Sequence, residues 1–477
     1  MCDSTPSFLH PRPAPVRSRP RPTVAAAVAL TLAAVAVAHP CAGQQPNRPL
    51  DRSRFTATVD SIVAAALKPG ASAGAAVAVV RGADTLVLRG YGYADVEFDV
   101  PMPARAIFEI GSVTKQFTAA AVLQLVEQGK VSLDDDLTKY LPTYATHGRH
   151  LTVRRLLDHT SGIRNYTDIP GFAAIQARKL PKDSLVALFA AEPFDFEPGA
   201  AMSYTNSGYF LLGLIIERAS GLSYAEYVQR NLFQRAGMAD SRYCGERAVF
   251  KRRAHGYQPD SGTLMRAAYM DHTYPYAAGS LCSTVNDLVA WNAALHGGRI
   301  LGPRAYTEMV TPGTLADGTP LRYAKALAVD STLGRRRLHH SGGIYGFVSE
   351  VAYFPDDRTS IVVLLNTSGS VSPTAMAQGI AEALYGRPAT PAARFAGDLA
   401  QFAGEYGARP GTPAMHVALV DGALALQPAS GAATPLRYLG GDTFEAGAGR
   451  YTFLREGGRV TRLRADNVSR VMVLTRR

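Results

Sequence analysis

Ser112-Val113-Thr114-Lys115 sets a hydroxyl and an amine three positions apart at the head of an apolar stretch that runs to Gln128. In a helix, residues i and i+3 share a face, so the Lys115 amine can lie against the Ser112 hydroxyl. A serine is a weak nucleophile until a neighbour takes its proton. A lysine does so only where burial or nearby cations favour its neutral form. Phe117, Ala119, Ala120, Ala121 and Val122 supply that burial. The first turn of a helix adds unpaired backbone N–H groups and the positive end of the dipole. The chemistry is nucleophilic attack on a carbonyl. The chain holds eight lysines, and Lys115 is the one that completes S-x-x-K.

Two further segments fit that chemistry. Ser203-Tyr204-Thr205-Asn206 follows Pro198-Gly199 and opens the apolar run Tyr209–Ile216. A tyrosine there can shuttle a proton, and an asparagine can hold both a lysine and a substrate amide. Alone, the segment reads better as a surface loop with a helix cap. His339-His340-Ser341-Gly342-Gly343 is placed at the start of a strand, where glycines let an edge backbone approach a ligand closely. Two rivals are weaker. Gly70-Ala71-Ser72-Ala73-Gly74 matches G-x-S-x-G, but a helix precedes it and a strand follows, the reverse of a nucleophile elbow, so Ser72 reads as a turn residue. His296-Gly297-Gly298 reads as a helix C-cap.

Taken together, Ser112/Lys115, Tyr204/Asn206 and His340/Ser341/Gly342 resemble the S-x-x-K, Y-x-N and [KH]-[TS]-G motifs of the serine β-lactamase and penicillin-binding-protein superfamily. The branch is the class C-like one, with DD-peptidases, D-aminopeptidases and esterases. Phe108-Glu109-Ile110-Gly111, Leu156 to Gly162 and Ala278 to Thr284 are similar to the family text as well, and the likeness spans about Phe55–Tyr385. It implies an acyl-enzyme on Ser112, with Lys115 and Tyr204 sharing the acid–base work and Asn206 positioning Lys115 and substrate. It also implies an oxyanion hole from the N–H groups of Ser112 and Gly343, with His340, Ser341 and Gly342 completing the substrate side. His159 reads as a buried structural histidine, and Tyr166 as a residue lining the cleft. The sequence departs from the family at two places. His340 stands where β-lactamases carry Lys, and the Y-G-x-G-W stretch reads Tyr323-Ala324-Lys325-Ala326-Leu327. An imidazole that charges only near pH 6 would read a substrate carboxylate less reliably than an ammonium does.

The elements that must position these residues are legible in outline. Asp51–Leu67 has helical spacing; Ala75–Val80 and Thr85–Tyr91 read as a hairpin; Ser112–Gln128 is a helix. Helical segments and Gly/Pro loops fill the middle. Strands resume at Leu338–His340, Val348–Phe354 and Ser360–Leu365, before a helix at Pro373–Leu384. The fold class is α/β (α+β): an antiparallel sheet flanked by helices, an inserted all-helical domain at about 130–310, and a small C-terminal all-β module. The domain boundaries expected are 1–43 signal peptide, 50–386 hydrolase domain, 387–393 linker and 394–477 β-module.

Composition narrows the function. The chain has 477 residues and carries 50 basic against 39 acidic side chains. Its basic clusters, Lys251-Arg252-Arg253 and Arg335-Arg336-Arg337, are short and not interleaved with aromatics, so nucleic acid is not expected as a partner. Arg12 to Arg21, an apolar run Thr23–Ala38 and Cys41-Ala42-Gly43 follow the order of a secretory signal. A secreted or periplasmic protein with no stable membrane span after cleavage is expected. Cys244 and Cys282 remain, either bridged or as two buried thiols. No metal-ligand spacing and no cofactor motif is present. The reading is an exported serine hydrolase acting on an amide or ester of a small molecule or peptide. A carboxylesterase, or a catalytically silent envelope-binding protein, are its alternatives, and oligomeric state is left open.

Overall fold

The structure is a computed structural model that describes residues 50–477 apart from 69, 71, 246–248, 370, 387–393, 408–413 and 448. The signal expected over 1–43 and the linker expected over 387–393 lie outside these residues.

Helix α1 (Arg52–Ala66) is started by Asp51, whose carboxylate accepts from Arg54 N at 3.0 Å, and buries Phe55, Val59 and Val63 along one stripe. Strands β1 (Gly74–Arg81) and β2 (Asp84–Asp95) form the hairpin, and β3 (Val100–Pro101) pairs beyond it. Helix α2 (Thr114–Glu127) follows. The short strand β4 (Met202–Ser203) leads into α3 (Asn206–Ser220). Strands β5 (Ala328–Thr332), β6 (Arg335–Ile344), β7 (Phe347–Phe354) and β8 (Thr359–Leu365) precede α4 (Pro373–Tyr385).

These strands build a seven-stranded sheet in the order β5-β6-β7-β8-β1-β2-β3. Strand β1 is apolar at nearly every position because both faces of the sheet are covered. Ala75, Val77 and Val79 meet α1 and α4, whereas Ala76 and Ala78 meet the helical side around α2. One alternating strand thus joins two cores.

The fold class is the one expected. Short strands accompany the helices of the insert: Tyr257–Asp260 pairs with Thr263–Arg266, and Phe108–Glu109 and Arg242–Tyr243 flank Leu281–Ser283. Elements of two to four residues are too short for alternation to reveal. Strand β6 also begins earlier than expected, at Arg335. Its arginines look like a surface cluster in sequence, yet Arg337 is buried and makes a two-pronged pair with Asp330 of β5 at 2.9 and 2.7 Å.

The C-terminal part is all β. Strands β9 (Gly404–Gly407), β10 (Met415–Val420), β11 (Ala423–Gln427), β12 (Thr434–Pro435), β13 (Arg437–Gly440), β14 (Thr443–Ala446), β15 (Gly449–Glu456), β16 (Arg459–Asn467) and β17 (Arg470–Arg476) run β12-β11-β10-β9-β17-β16-β15-β14-β13. This sheet curls into a nearly closed barrel around Phe402, Tyr406, Phe444, Phe453 and Leu463. Strand β4 of the hydrolase part adds to β17, with Met202 opposite Val471 and Ser203 opposite Arg470.

Candidate active site

Ser112 sits in a single 3-10 turn, Gly111–Val113, that leads into α2. Gly111 has φ +49°, and a Cβ there would lie 2.8 Å from the Gly343 backbone. Only glycine lets the serine turn and strand β6 come this close. Gly342 is held as tightly from the other side, since a Cβ would meet Ile110 O and Ser349 Oγ; Gly343 itself faces open space. Ser112 N and Gly343 N are therefore brought to one small region, as an oxyanion pair requires.

Helix α2 is buried from Thr114 to Leu125, and Lys115 is 0% exposed. Its Nζ lies 3.1 Å from Ser112 Oγ, 2.8 Å from Asn206 Oδ1 and 2.8 Å from Ala278 O. Among the described residues no carboxylate pairs with it, and burial holds its pKa well below the ordinary lysine range. A neutral amine has two N–H bonds and one lone pair. The asparagine and Ala278 oxygens can only accept from it, so they take the two N–H bonds. In that neutral form the lone pair is left facing the Ser112 hydroxyl.

Tyr204 lies between β4 and α3, its ring 4.8 Å from Lys115 Nζ. Its hydroxyl is buried beside Ser112 and makes no hydrogen bond of ordinary length among the described residues. Burial pushes the phenol above its usual pKa, so it keeps its proton. Asn206 opens α3 and is steadied by its own N–H, which donates to Asn165 Oδ1 at 3.0 Å.

The Ala278 wall is tied down covalently. Cys244 and Cys282 are joined in a disulfide with Cα atoms 5.3 Å apart, and both are buried against Ile107. Cys282 pairs with Glu109, and Leu281 N donates to Thr114 Oγ1 at 3.1 Å. The bridge therefore braces both the serine turn and the start of α2.

His340 differs from the expectation of a charge reader. Thr205 N–H donates to His159 Nδ1 at 3.2 Å, so His159 carries its proton on Nε2 and donates it to Tyr323 Oη at 3.3 Å. The Tyr323 hydroxyl then donates to His340 Nε2 at 2.9 Å, and His340 Nδ1 donates to the Ser341 carbonyl at 2.5 Å. Both His340 nitrogens are spent inside the protein. Burial pushes its pKa down to about 3. It stays neutral where it was expected to charge near pH 6.

Tyr323, quoted in the blurred stretch but given no role there, is the hub of this chain. Lys325 next to it is buried and ion-paired with Asp158 at 2.9 Å and Glu308 at 3.2 Å, which fixes the segment. Tyr166 does not line the cleft. Its hydroxyl donates to Tyr274 O at 2.7 Å, and its ring packs among Phe172, Phe189 and Phe210. Ser72 is buried just before β1, away from this cluster.

A cavity of about 1120 Å³ opens from Ser112. Tyr204, His340, Ser341 and Gly343 line it from the hydrolase part, and Arg450, Val468 and Ser469 from the β-barrel. Among the described residues, no group of three His, Cys, Asp or Glu side chains is placed to hold a metal, and no helix is long and apolar enough to cross a membrane.

A serine turn against a buried lysine, faced by Tyr204 and by the His-Ser-Gly strand of an antiparallel sheet, defines a penicillin-binding-protein-like serine hydrolase. The Beta-lactamase family model matches residues 59–385, and the chain belongs to that family. It is 28% identical over 329 residues to penicillin-binding protein 4* of Bacillus subtilis, covering 65% of this chain and 72% of the relative. It is 28% identical over 332 residues to a D-aminopeptidase of Gluconobacter oxydans, covering 69% of this chain but 62% of that longer relative. The octameric penicillin-binding protein homologue of Pyrococcus abyssi superposes with a TM-score of 0.62 at 25% identity, over 89% of this chain and all (100%) of that one.

Proposed function

We propose that the protein is an exported amidohydrolase that opens amide bonds of D-amino-acid peptides or amides through an acyl-enzyme on Ser112. The observation that carries the mechanism is the Lys115 geometry: two N–H bonds engaged and the lone pair on Ser112 Oγ. Ser112 Oγ adds to the carbonyl carbon while Lys115 takes its proton. The N–H groups of Ser112 and Gly343 receive the oxyanion. The C–N bond breaks as the Tyr204 phenol gives its proton to the leaving nitrogen, and Lys115 returns the stored proton to Tyr204. Water then enters by the same relay, Oγ leaves, and Ser112 is reprotonated. The burial that keeps Tyr204 protonated favours it as the acid and leaves Lys115 as the base.

The D-amino-acid preference draws on the D-aminopeptidase likeness. A neutral His340 in place of a permanent cation argues against efficient hydrolysis of anionic β-lactams. Export draws on the N-terminal signal pattern and on a disulfide that suits an oxidising compartment. Rapid-quench intact mass spectrometry with D-alanine p-nitroanilide and its L enantiomer tests the reading. The expected result is a D-alanyl adduct that disappears in Ser112→Ala. An adduct that survives Ser112→Ala, or a preference for the L enantiomer, overturns it.

A further inference from the structure

The cavity that starts at Ser112 has charged walls on the barrel side, and most of those charges are paired off. Arg337 is held by Asp330. On the barrel, Arg437 pairs with Glu445 through Nε at 2.9 Å. Asp466 is taken by Arg464 at 2.7 Å, with Arg322 3.8 Å away. Arg450 is different. In the sheet register it lies between Glu445 of β14 and Asp466 of β16, the two acids that should neutralise it. Both have turned to other arginines. Arg450 makes no hydrogen bond and no ion pair with any described residue, yet its side chain lines the cavity. Its charge leaves this end of the cavity positive.

The register also says where that charge stands. Met202, Val471, Asp466 and Arg450 are successive partners across β4, β17, β16 and β15. They share one face, and Met202 and Val471 show which: they pack against Tyr323. Three inter-strand steps put the Arg450 backbone roughly 14 Å from that of Met202, two residues before Tyr204. A long side chain reaching back toward the cavity shortens the gap. What remains suits a leaving group of roughly two to three extended residues at about 3.4 Å each.

We infer that Arg450 of the β-barrel is a specificity residue that binds the C-terminal carboxylate of a short peptide whose amide bond lies over Ser112. This rests on the peptide reading above and names the part of the substrate that reading leaves open. The charge recognition that His340 does not provide is supplied across the cavity by a different part of the chain. A guanidinium with no hydrogen bond to any described residue suits a carboxylate in a two-pronged pair, and a neutral amide end would gain little from it.

The first test needs binding only. Ser112 is labelled by a neutral fluorophosphonate, and the concentrations of D-Ala-Gly-Gly acid and of its C-terminal amide that halve the labelling rate are compared. The acid should protect at least about tenfold better than the amide in the native protein, the scale of one charge-assisted hydrogen bond. In Arg450→Gln the acid-to-amide ratio should collapse toward one, and in Arg450→Lys part of the advantage should return. Equal protection by acid and amide in the native protein, or a ratio unmoved by Arg450→Gln, overturns the assignment. Cleavage of the same peptides, with one to three glycines, is followed separately. Preferential protection without cleavage would overturn the amidohydrolase reading and leave Arg450 as the carboxylate site.

Discussion

The backbone N–H of Tyr204 donates to the carbonyl of Ser469 at 2.8 Å. One residue belongs to the loop between β4 and α3 in the hydrolase part, and the other to the last turn of the C-terminal barrel. Strand β17 pairs antiparallel with β4, and Val468 and Ser469 form a wall of the cavity that opens from Ser112. The barrel is a structural part of the site.

Val471 is the test of that dependence. It is fully buried against Met202, Leu315, Leu321 and Tyr323. Val471→Asp would place an unpaired carboxylate there, at a cost of several kcal/mol. Ser112 labelling by a fluorophosphonate should slow more than about tenfold, whereas Val471→Ile should label at close to the native rate. Native labelling in Val471→Asp would mean that the barrel is a passenger.

Lys115→Met should slow acylation by at least about 10²-fold, the scale of lost general-base catalysis. The native rate should climb with pH as Lys115 loses its proton and then level off. Because burial lowers that pKa, the climb should finish well below the ordinary lysine value of about 10.4. A rate still rising through pH 10 would show that the base is an ordinary lysine or another group.

Tyr323→Phe removes the hydroxyl that links the two histidines. It strands the His159 N–H and the His340 lone pair in a dry site, at about 1–3 kcal/mol for each group. Chemical denaturation should show that loss. The pH dependence has a definite sign. His340 is neutral when folded, with a pKa of about 3, and takes up a proton near pH 6.5 when unfolded. Its contribution therefore makes stability fall as pH drops from about 6.5 toward 3, and His340→Asn should flatten part of that slope. Between pH 6 and 8, the ratio of kcat/KM for anionic and neutral substrates should not change on account of His340.

The Cys244–Cys282 bridge closes a loop with a sequence separation of 38. In the chain-entropy model that is worth about 4 kcal/mol. Thiol titration of the denatured, unreduced protein should find neither cysteine free. The double Cys→Ser variant should be less stable and should also acylate more slowly, because Cys282 braces the strand that leads to Ser112. Unchanged kinetics would confine the bridge to stability.

Much of the site was legible because its residues are local in sequence. Ser112 and Lys115 share one helical face, Tyr204 and Asn206 flank one cap, and His340 to Gly343 follow one strand, so residue type and short spacing carried them. Strand β1 was equally readable, since an apolar run bounded by turns has few other uses. The Arg335 to Arg337 run was left out of the strand for the converse reason: three charges in a row do not show a strand pattern, and only a partner from another strand shows that Arg337 is buried.

What local pattern cannot express is which distant groups meet. Tyr323 looked like a remnant of a degraded motif, and its bonds to His159 and His340 join segments from three places in the chain. That long-range chain, with the burial around it, decides that His340 is neutral. The same holds for Arg450, one of 42 arginines and unremarkable in sequence. Its lack of an ion-pair partner among the described residues depends on where Glu445 and Asp466 turn, and its place in the cavity depends on β17 pairing with β4. The sequence by itself determined the candidate nucleophile, the fold class and the order of the motifs. Tertiary structure alone decided the protonation states and the far wall of the cavity, because both depend on burial and on contacts between residues hundreds of positions apart.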